Sequence, residues 1–468
     1  MNRLRANSLA ATEAGGRPSR PIHRALILAG IVMLYLLRAS DTFVSDHATG
    51  DQRGYVGIAM KLQRSGFREY NLFHISRVAF PGGLEYVWSQ ERDGELIEAL
   101  RSEGMGFLAH TLFHSPPLFP YFLYFSHRMF APGIGYDVLF PAAARGLNMS
   151  ERLKVQLYSS VVPLVFGVVL VVATFLLAQM ICGYWTAVIA ALLIACSPAV
   201  LFASERLWQD VPLAALVTLT MLFLLRHLES DDPGWFLLAV VSCSLALLAK
   251  NTTVLLAPAV VLAMAHRAYR RGGGVGKALR ETALRAGAFL LLCSVLVFPW
   301  FFTAWRTWGT PFYNAGEEGI SRVHHWFVFL KSRPWYTYAV TIPVMVPLFS
   351  FGYYRIVTMW RSRARFDEML LGVWFLSFFV VLTLMTSFSE QLGPDSRYML
   401  PAYPPLAILA AAQVLRVRDS LANRAPASVA RWAVAGAILL SCAWSYRLSD
   451  LGYATFPRIY RNFMNMPF

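Results

Sequence analysis

Several carboxylate and cationic side chains occur beside long apolar runs, and they have the chemistry needed to break a bond to phosphate. Asp51 follows the first apolar run and lies in the longest polar segment of the chain. Asp210, Lys250 and Arg397 each stand at the edge of a later apolar run. A carboxylate can accept a proton from a hydroxyl, and fixed cations stabilise charge on a departing phosphate. Taken singly, each residue has a simpler explanation, either a solvated loop carboxylate or a cation reaching lipid headgroups.

The composition is that of a membrane protein. Of 468 residues, 56% are hydrophobic and 15% are charged, whereas soluble domains carry about 25% charged residues. The apolar residues form runs of about 16 to 26, the helical length that crosses a bilayer. The net charge of +15 comes from Arg residues in short loops, which is typical of cytoplasmic loops and gives no reason to expect nucleic acid. The five cysteines lie in or beside apolar runs, so no disulfide framework or metal-ligand spacing is predicted.

An all-α, polytopic architecture with about eleven transmembrane helices is therefore predicted. Pro116 to Phe130 is apolar but too short to cross comfortably, so it is predicted to lie in the membrane interface. This choice puts three Arg-rich loops, 266–285, 361–365 and 416–431, on the cytoplasmic side. The predicted spans are Pro21–Arg38, Val155–Ile181, Tyr184–Ala203, Val211–Leu225, Trp235–Ala249, Thr252–Ala265, Ala286–Ala304, one ending near Trp360, Met369–Phe388, Tyr398–Leu415 and Trp432–Tyr446.

The same topology predicts the domain organisation. A transmembrane domain covers 22–446, and its first span is expected to be an uncleaved anchor. Within it, 39–154 form a large periplasmic loop with in-plane helices, and helical spacing is present at Tyr55–Arg64 and Glu91–Glu103. A second outer loop covers 305–337. Residues 1–21 form a cytoplasmic tail, and 447–468 form a short periplasmic tail.

With this topology, polar residues from at least five segments meet at the outer membrane boundary. They are Asp51, His114, Glu205, Arg206, Asp210, Lys250 and Arg397. Such a face offers carboxylates beside fixed cations at the depth of a lipid phosphate, which suits transfer of a sugar from a polyprenyl phosphate to a hydroxyl.

Five motifs in order carry a family resemblance. They are GDQRGYVGIAMKL with Asp51 and Tyr55, HSPPL with His114, SPAVLFASERLWQDVP with Arg206 and Asp210, LLAK with Lys250, and RYMLPAYP with Arg397 and Tyr398. Together they resemble the membrane glycosyltransferases of the GT-C fold, in the branch of the protein O-mannosyltransferases and the lipid A aminoarabinose transferase. The chain departs from that pattern at Gln52, where the family often has an acid, and at Ser115, inserted before the proline pair.

The resemblance implies a role for each motif residue. It implies that Asp51 is the general base and Asp210 a second catalytic-site carboxylate, although Asp46 and Asp210 remain alternatives for the base. The donor phosphate would be bound by Lys250, Arg397, Arg206 and His114. Tyr55, Tyr398 and Glu205 would contact substrate.

The expected reaction is therefore inverting glycosyl transfer at the periplasmic side of a bacterial inner membrane. The donor would be a polyprenyl-phosphate sugar, and the acceptor a lipid, a polysaccharide or a protein. No cofactor is expected, since interfacial histidines explain His324-His325, and His110 with His114, better than metal ligation does. The alternatives are a lipid or sugar transporter, for which mid-span charges and a repeat would be expected, and a non-catalytic scaffold.

Overall fold

The membrane domain is a bundle of α-helices in the computed structural model. The structure describes residues 21–40, 55, 59, 62, 75–80, 83–88, 116–130, 149–272, 274–308, 337–359, 365–387 and 396–450. Its helices are α1 (Pro21–Ala39), α2 (Leu118–Phe130), α3 (Met149–Cys182), α4 (Tyr184–Ala195), α5 (Pro198–Ser204), α6 (Asp210–Ser230), α7 (Pro233–Ala249), α8 (Ala257–Arg270), α9 (Gly274–Trp308), α10 (Thr337–Met345), α11 (Phe349–Met359), α12 (Phe366–Ser387), α13 (Tyr403–Ala422) and α14 (Ala427–Asp450).

The polytopic architecture is confirmed. Within the described part of the chain, eight helices are long and apolar enough to cross a membrane, and a bent helix pair makes a ninth candidate span. A further apolar helix, α7, has 17 residues. The remaining predicted span, the one ending near Trp360, corresponds to α10 and α11, which are separated by a short break. Each predicted span thus corresponds to a helix or a helix pair.

Two spans begin with a 3-10 turn, and one is sharply bent. The predicted span Tyr184–Ala203 is the pair α4 and α5, bent by 55° where Pro198 opens α5. A 3-10 helix, Asn251–Leu256, precedes α8, and another, Ser396–Ala402, precedes α13. Proline stands in the first turn of α5, α8 and α13, where its missing N–H costs nothing. At these breaks, backbone groups lack intrahelical hydrogen-bond partners and can contact other groups.

Helix α13 lies at the centre of the bundle, and α9 and α14 lie at its periphery. The buried share of the most apolar window is 83% for α13, 17% for the span in α9 and 22% for α14. Helix α1 packs on α3 through Tyr35, which is fully buried and donates a hydrogen bond from its hydroxyl to Ser204 Oγ at 2.8 Å. Gly167 of α3 permits this approach, because a Cβ at that position would overlap the Tyr35 hydroxyl.

Helix α2 is a 13-residue helix, close to the in-plane helix predicted from Pro116 to Phe130. At about 1.5 Å per residue it is too short to cross about 30 Å of hydrocarbon. Its polar side docks on α3, where Ser126 Oγ donates to the Tyr158 carbonyl and His127 Nε2 lies 2.6 Å from Ser159 Oγ. Burial lowers the pKa of His127 to about 4.

The large loop between α1 and α3 also contains an unpredicted hairpin. Strands β1 (Ile75–Phe80) and β2 (Gly83–Trp88) pair antiparallel, with Ile75 opposite Trp88. The Pro81-Gly82 dipeptide between them is a turn signal that could have indicated it. In the same loop Tyr55, Ala59 and Leu62 are helical and buried, as the helical spacing predicted. The predicted helix at Glu91–Glu103 lies outside the described residues.

The described residues of the predicted Arg-rich loops lie at one end of the bundle. Asp231, after α6, accepts hydrogen bonds from Arg267 and Arg271. Its partial burial would raise the pKa, but these hydrogen bonds outweigh burial and hold the pKa of Asp231 below its ordinary value. In addition, Glu368 accepts hydrogen bonds from two arginines, one on α11 and one on α13: Arg355 and Arg416. The rings of His266 and Phe366 stack with their centroids 3.4 Å apart. This contact joins α8, which carries Arg267, to α12, which carries Glu368.

Candidate active site

At the opposite end of the bundle, four predicted site residues lie where helices end. Arg206 follows α5, Asp210 begins α6 and Lys250 follows α7, while Arg397 belongs to the 3-10 helix before α13. Charged groups are costly within a span, so helix ends facing a common cavity or interface are where they are tolerated. The tertiary fold brings these four ends together.

Asp210 and Lys250 form a direct ion pair. Lys250 Nζ donates to Asp210 Oδ1 at 2.7 Å. The side chain of Lys250 is 19% exposed, and that of Asp210 is 4% exposed. Asp210 stands in the first turn of α6, where the positive end of the helix dipole also favours a carboxylate. The pair keeps an ammonium charge at a shielded position, and Lys250 retains enough exposure to reach a ligand.

The cations are held against aromatic rings. Lys250 Nζ lies 4.5 Å from the ring centroid of Tyr398, and Arg397 Cζ lies 4.0 Å from that of Trp208. Arg397 also donates to the Tyr398 hydroxyl at 3.1 Å. Arg206 Cζ lies 4.7 Å from the ring centroid of Phe202 and 5.7 Å from that of Trp208. Cation–π contacts of this kind fix the positions of the charges without neutralising them.

A second ion pair closes one edge of the site. Arg38, at the end of α1, lies 3.7 Å from Glu205 Oε1 through its Nη1. Its Nη2 donates to the Ser449 carbonyl of α14 at 2.7 Å. Glu205 is the predicted substrate contact, and it immediately precedes Arg206 in the turn between α5 and α6. The pair therefore connects the first and last spans to that turn.

The structure tests the predicted site residues unevenly. It brings Arg206, Asp210, Lys250, Arg397 and Tyr398 into one cluster, and Glu205 lies at its edge. Tyr55 is buried, with its ring at 5.2 Å and 89° to that of Phe119 on α2. The remaining two predicted residues, Asp51 and His114, lie outside the described residues, as does Asp46. Their roles stay predictions.

Four site residues were not predicted from the sequence. Trp208 lies within cation–π distance of both arginines, and Arg38 pairs with Glu205. The other two, Gln209 and Asn251, neighbour the members of the ion pair in the sequence. Trp208 and Gln209 stand between Arg206 and Asp210 in the printed sequence, which is the only signal that could have singled them out. A tryptophan at an interface is ordinarily an anchor, so its contact with Arg397 could be learned only from the fold.

The family model that matches the chain is described as dolichyl-phosphate-mannose-protein mannosyltransferase, and it matches residues 154–301. This range contains Glu205, Arg206, Asp210 and Lys250. No curated protein sequence matches the chain.

Solved structures share the fold over most of the chain. The Archaeoglobus fulgidus oligosaccharyltransferase, tethered with an acceptor peptide, aligns with a TM-score of 0.57 at 16% identity, covering 92% of this chain and 55% of that one. ArnT from Cupriavidus metallidurans, bound to undecaprenyl phosphate, aligns with a TM-score of 0.53 at 16% identity, covering 92% of this chain and 75% of that one. AglB, the archaeal oligosaccharyltransferase from Archaeoglobus fulgidus, was solved in complex with an inhibitory peptide and a dolichol-phosphate. It aligns with a TM-score of 0.57 at 16% identity, covering 92% of this chain and 55% of that one.

These matches define the class of fold. The chain has the GT-C fold of polytopic membrane glycosyltransferases, which confirms the fold expected from the motifs. It spans little more than half the length of the archaeal oligosaccharyltransferase. The solved structures show a multi-pass membrane protein of this fold over 92% of the chain, and the family model matches residues 154–301 within it.

Proposed function

We propose that this protein transfers a sugar from a polyprenyl phosphate to an acceptor hydroxyl. The single observation that carries the proposal is the cluster of Lys250, Arg397 and Arg206 around Trp208 and Tyr398. It holds three cations and one ion-paired carboxylate, Asp210, at one end of a membrane bundle. Two proteins of similar fold bind undecaprenyl phosphate and dolichol-phosphate. The phosphate of such a lipid lies at the membrane surface, where the helix ends that form the cluster are proposed to lie.

The reaction is a direct displacement at the anomeric carbon. A carboxylate takes the proton of the acceptor hydroxyl, whose oxygen forms the new bond to the anomeric carbon. The bond from that carbon to the phosphate oxygen breaks, and its electron pair leaves with the polyprenyl phosphate. Lys250 and Arg397 stabilise the added negative charge in a site where little water screens it. Attack from the face opposite to the phosphate inverts the anomeric configuration.

We assign the general base to Asp51. The assignment rests on the motif and on the position of Tyr55, four residues later, against Phe119 of α2. Asp210 is less suited to be the base, because its carboxylate is paired with Lys250. We assign Asp210 to orienting Lys250, and His114 to the donor phosphate.

The topology follows from the charges. The end with the Arg-rich loops faces the cytoplasm by the positive-inside rule, so the cation cluster faces the periplasm of a bacterial inner membrane. The large loop 39–154 and the loop 305–337 then lie on the side of the acceptor, which is a lipid, a polysaccharide or a protein. The proposed transmembrane domain covers 22–446, with tails 1–21 and 447–468, although α14 extends four residues beyond that bound, to Asp450.

A lipid or sugar flippase is the second candidate. The 55° bend between α4 and α5 and the break between α10 and α11 favour it, because discontinuous helices are common in transporters. The charged residues described above stand at span ends, which favours the transferase. A detergent solution separates the two, since transport needs two compartments and chemistry does not.

The test uses protein purified in detergent and a panel of radiolabelled undecaprenyl-phosphate sugars. Release or transfer of label is compared between wild type and Asp51→Asn, with Lys250→Gln as a second variant. We expect wild type to consume at least one donor and Asp51→Asn to be slower by about a hundredfold or more, since general-base catalysis contributes about that much.

Three outcomes count against parts of the proposal. If a folded Asp51→Asn variant matches wild type, the base is Asp46 or Asp210. If Lys250→Gln leaves the affinity for undecaprenyl phosphate unchanged, the phosphate site lies elsewhere. If wild type consumes no donor in detergent yet moves labelled lipid across proteoliposomes, the flippase is correct.

A further inference from the structure

Two amide side chains that neighbour Asp210 and Lys250 in the sequence each have a buried oxygen with no hydrogen-bond partner among the described residues. Gln209 precedes Asp210 and is 7% exposed, and its Oε1 is buried with no hydrogen-bond partner. Asn251 follows Lys250, and its Oδ1 is likewise buried and unpartnered. Each amide is therefore one residue from an ion-pair member, and consecutive Cα atoms are only about 3.8 Å apart.

A buried carbonyl oxygen without a hydrogen-bond donor is unfavourable, because it has lost its hydrogen bonds to water and formed none in the protein. Most buried polar atoms in folded proteins are hydrogen-bonded, so an exception needs an explanation. These two oxygens belong to residues one position from the members of one ion pair, at the starts of two helices, where a bound molecule would supply the missing donors.

The chemistry of that molecule follows from the atoms. A carbonyl oxygen accepts hydrogen bonds and repels a phosphate oxygen, which has no proton to give. An acyl chain offers no donor either. A second cation is disfavoured beside Lys250, Arg397 and Arg206. The remaining fit is a neutral molecule rich in hydroxyl groups, held next to an anion.

We infer that Gln209 and Asn251 bind hydroxyl groups of the donor sugar and so help to select which sugar is transferred. This inference rests on the proposed function, because the lipid phosphate bound by Lys250 and Arg397 brings the sugar to these amides. Gln209 stands at the N-terminus of α6, and Asn251 opens the 3-10 helix before α8. Both backbones are therefore fixed by helices, which suits recognition of a ligand with defined geometry.

The experiment compares lipid binding with and without a sugar. Binding of undecaprenyl phosphate is measured beside binding of undecaprenyl-phosphate mannose, glucose and galactose, for wild type, Gln209→Leu and Asn251→Leu in detergent. We expect wild type to prefer at least one sugar-bearing lipid. Each variant should weaken binding of that lipid about tenfold, the worth of one hydrogen bond, and keep undecaprenyl phosphate binding within about twofold.

The melting temperature distinguishes a role in sugar binding from a role in stability. If Gln209 stabilised the fold, Gln209→Leu would lower the melting temperature. Gln209→Leu removes a buried unpartnered oxygen, so we expect its melting temperature to equal or exceed that of wild type. Ser197→Ala is the matched control, since Ser197 Oγ is also buried and unpartnered, at the break before α5. It should change neither the sugar preference nor the binding of undecaprenyl phosphate.

The failures are distinguishable. If undecaprenyl phosphate binds and Lys250→Gln weakens it, but Gln209→Leu and Asn251→Leu keep the sugar preference, the proposed function stands and this inference is wrong. The inference is also wrong if Gln209→Leu lowers the melting temperature without altering the sugar preference, or if wild type prefers no sugar. If undecaprenyl phosphate does not bind, or binds independently of Lys250, both proposals fail.

Discussion

Lys250 and Asp210 are forty residues apart in the chain, yet their Nζ and Oδ1 atoms lie 2.7 Å apart. They stand at the end of α7 and the start of α6, two helices that pack side by side. A lysine at a helix end would ordinarily extend to lipid headgroups. This lysine instead turns toward a buried carboxylate and the ring of Tyr398. The arrangement fixes a positive charge where a lipid phosphate would arrive.

The ion pair predicts a strong coupling in stability. Asp210→Asn leaves the Lys250 ammonium without its counter-charge, and Lys250→Met leaves the Asp210 carboxylate buried and unpaired. Each single variant should lose about 1 to 3 kcal/mol, less than for a fully buried pair because Lys250 is partly exposed. The double variant should lose less than the sum of the two. Thermal unfolding in detergent measures this cycle, and additive losses would show that the pair contributes no coupling.

The contact between Arg397 and Trp208 predicts a specific requirement for arginine. Arg397→Lys keeps the charge but loses the planar guanidinium that lies on the indole. We expect affinity for undecaprenyl phosphate to fall about tenfold, corresponding to a cation–π contact of about 1 to 2 kcal/mol. Trp208→Leu should cause a similar loss, and the combined variant little more. Trp185→Leu, at an exposed position on α4, is the control; equal losses there would point to a general packing effect.

The packing of α1 on α3 predicts opposite outcomes for two glycines. In Gly167→Ala the new methyl group overlaps the Tyr35 hydroxyl, so α1 must shift and the hydrogen bond to Ser204 is disturbed. We expect a loss of about 1 to 3 kcal/mol in stability and reduced transfer, because Ser204 adjoins Glu205. Gly30→Ala has nothing within 4 Å of the new atom, and because alanine favours the helix more than glycine does, it should stabilise the protein by up to about 1 kcal/mol. Equal behaviour of the two variants would rule out this packing explanation.

Helix α2 predicts a pH dependence of stability. His127 is buried, and desolvation lowers its pKa to about 4 from an unfolded value of about 6.5. Between these pH values the unfolded chain binds the proton and the folded chain does not, so stability is complete above pH 6.5 and decreases as the pH falls toward 4. The loss between pH 7 and pH 5 should be about 2 kcal/mol. Melting curves of wild type and His127→Gln check this, since the variant should lack that part of the pH dependence; identical slopes would contradict it.

The proposed chemistry also predicts that transfer does not need a divalent metal. The phosphate charge is met by Lys250, Arg397 and Arg206, which can stabilise the leaving group themselves. Activity should therefore persist after dialysis against EDTA and show no gain on adding Mg²⁺ or Mn²⁺. Loss of activity with EDTA and recovery with one metal would show that the expectation of no cofactor is wrong.

Much of the architecture was determined by the sequence itself. Apolar runs of spanning length have only one way to satisfy their backbone in lipid, so α1, α3, α6, α12 and the other spans could be predicted individually. The positive-inside rule predicted that the Arg-rich loops share one side, and the contacts of Asp231 and Glu368 are at one end of the bundle. Lys250 and Arg397 were recognisable because charged groups are costly within spans, and each of these residues stands at one end of an apolar run.

The tertiary structure decided which of these residues touch. Periodicity does not say that α4 bends at Pro198, that Arg397 lies on Trp208, or that the hydroxyl of Tyr35 reaches Ser204, 169 residues away. Such contacts depend on helix crossing and on the small side chain at Gly167, which are properties of pairs of segments rather than of either segment. The unpartnered amide oxygens of Gln209 and Asn251 also could not be predicted from the sequence. Whether a buried oxygen has a hydrogen-bond donor depends on the positions of all its neighbours in the tertiary structure.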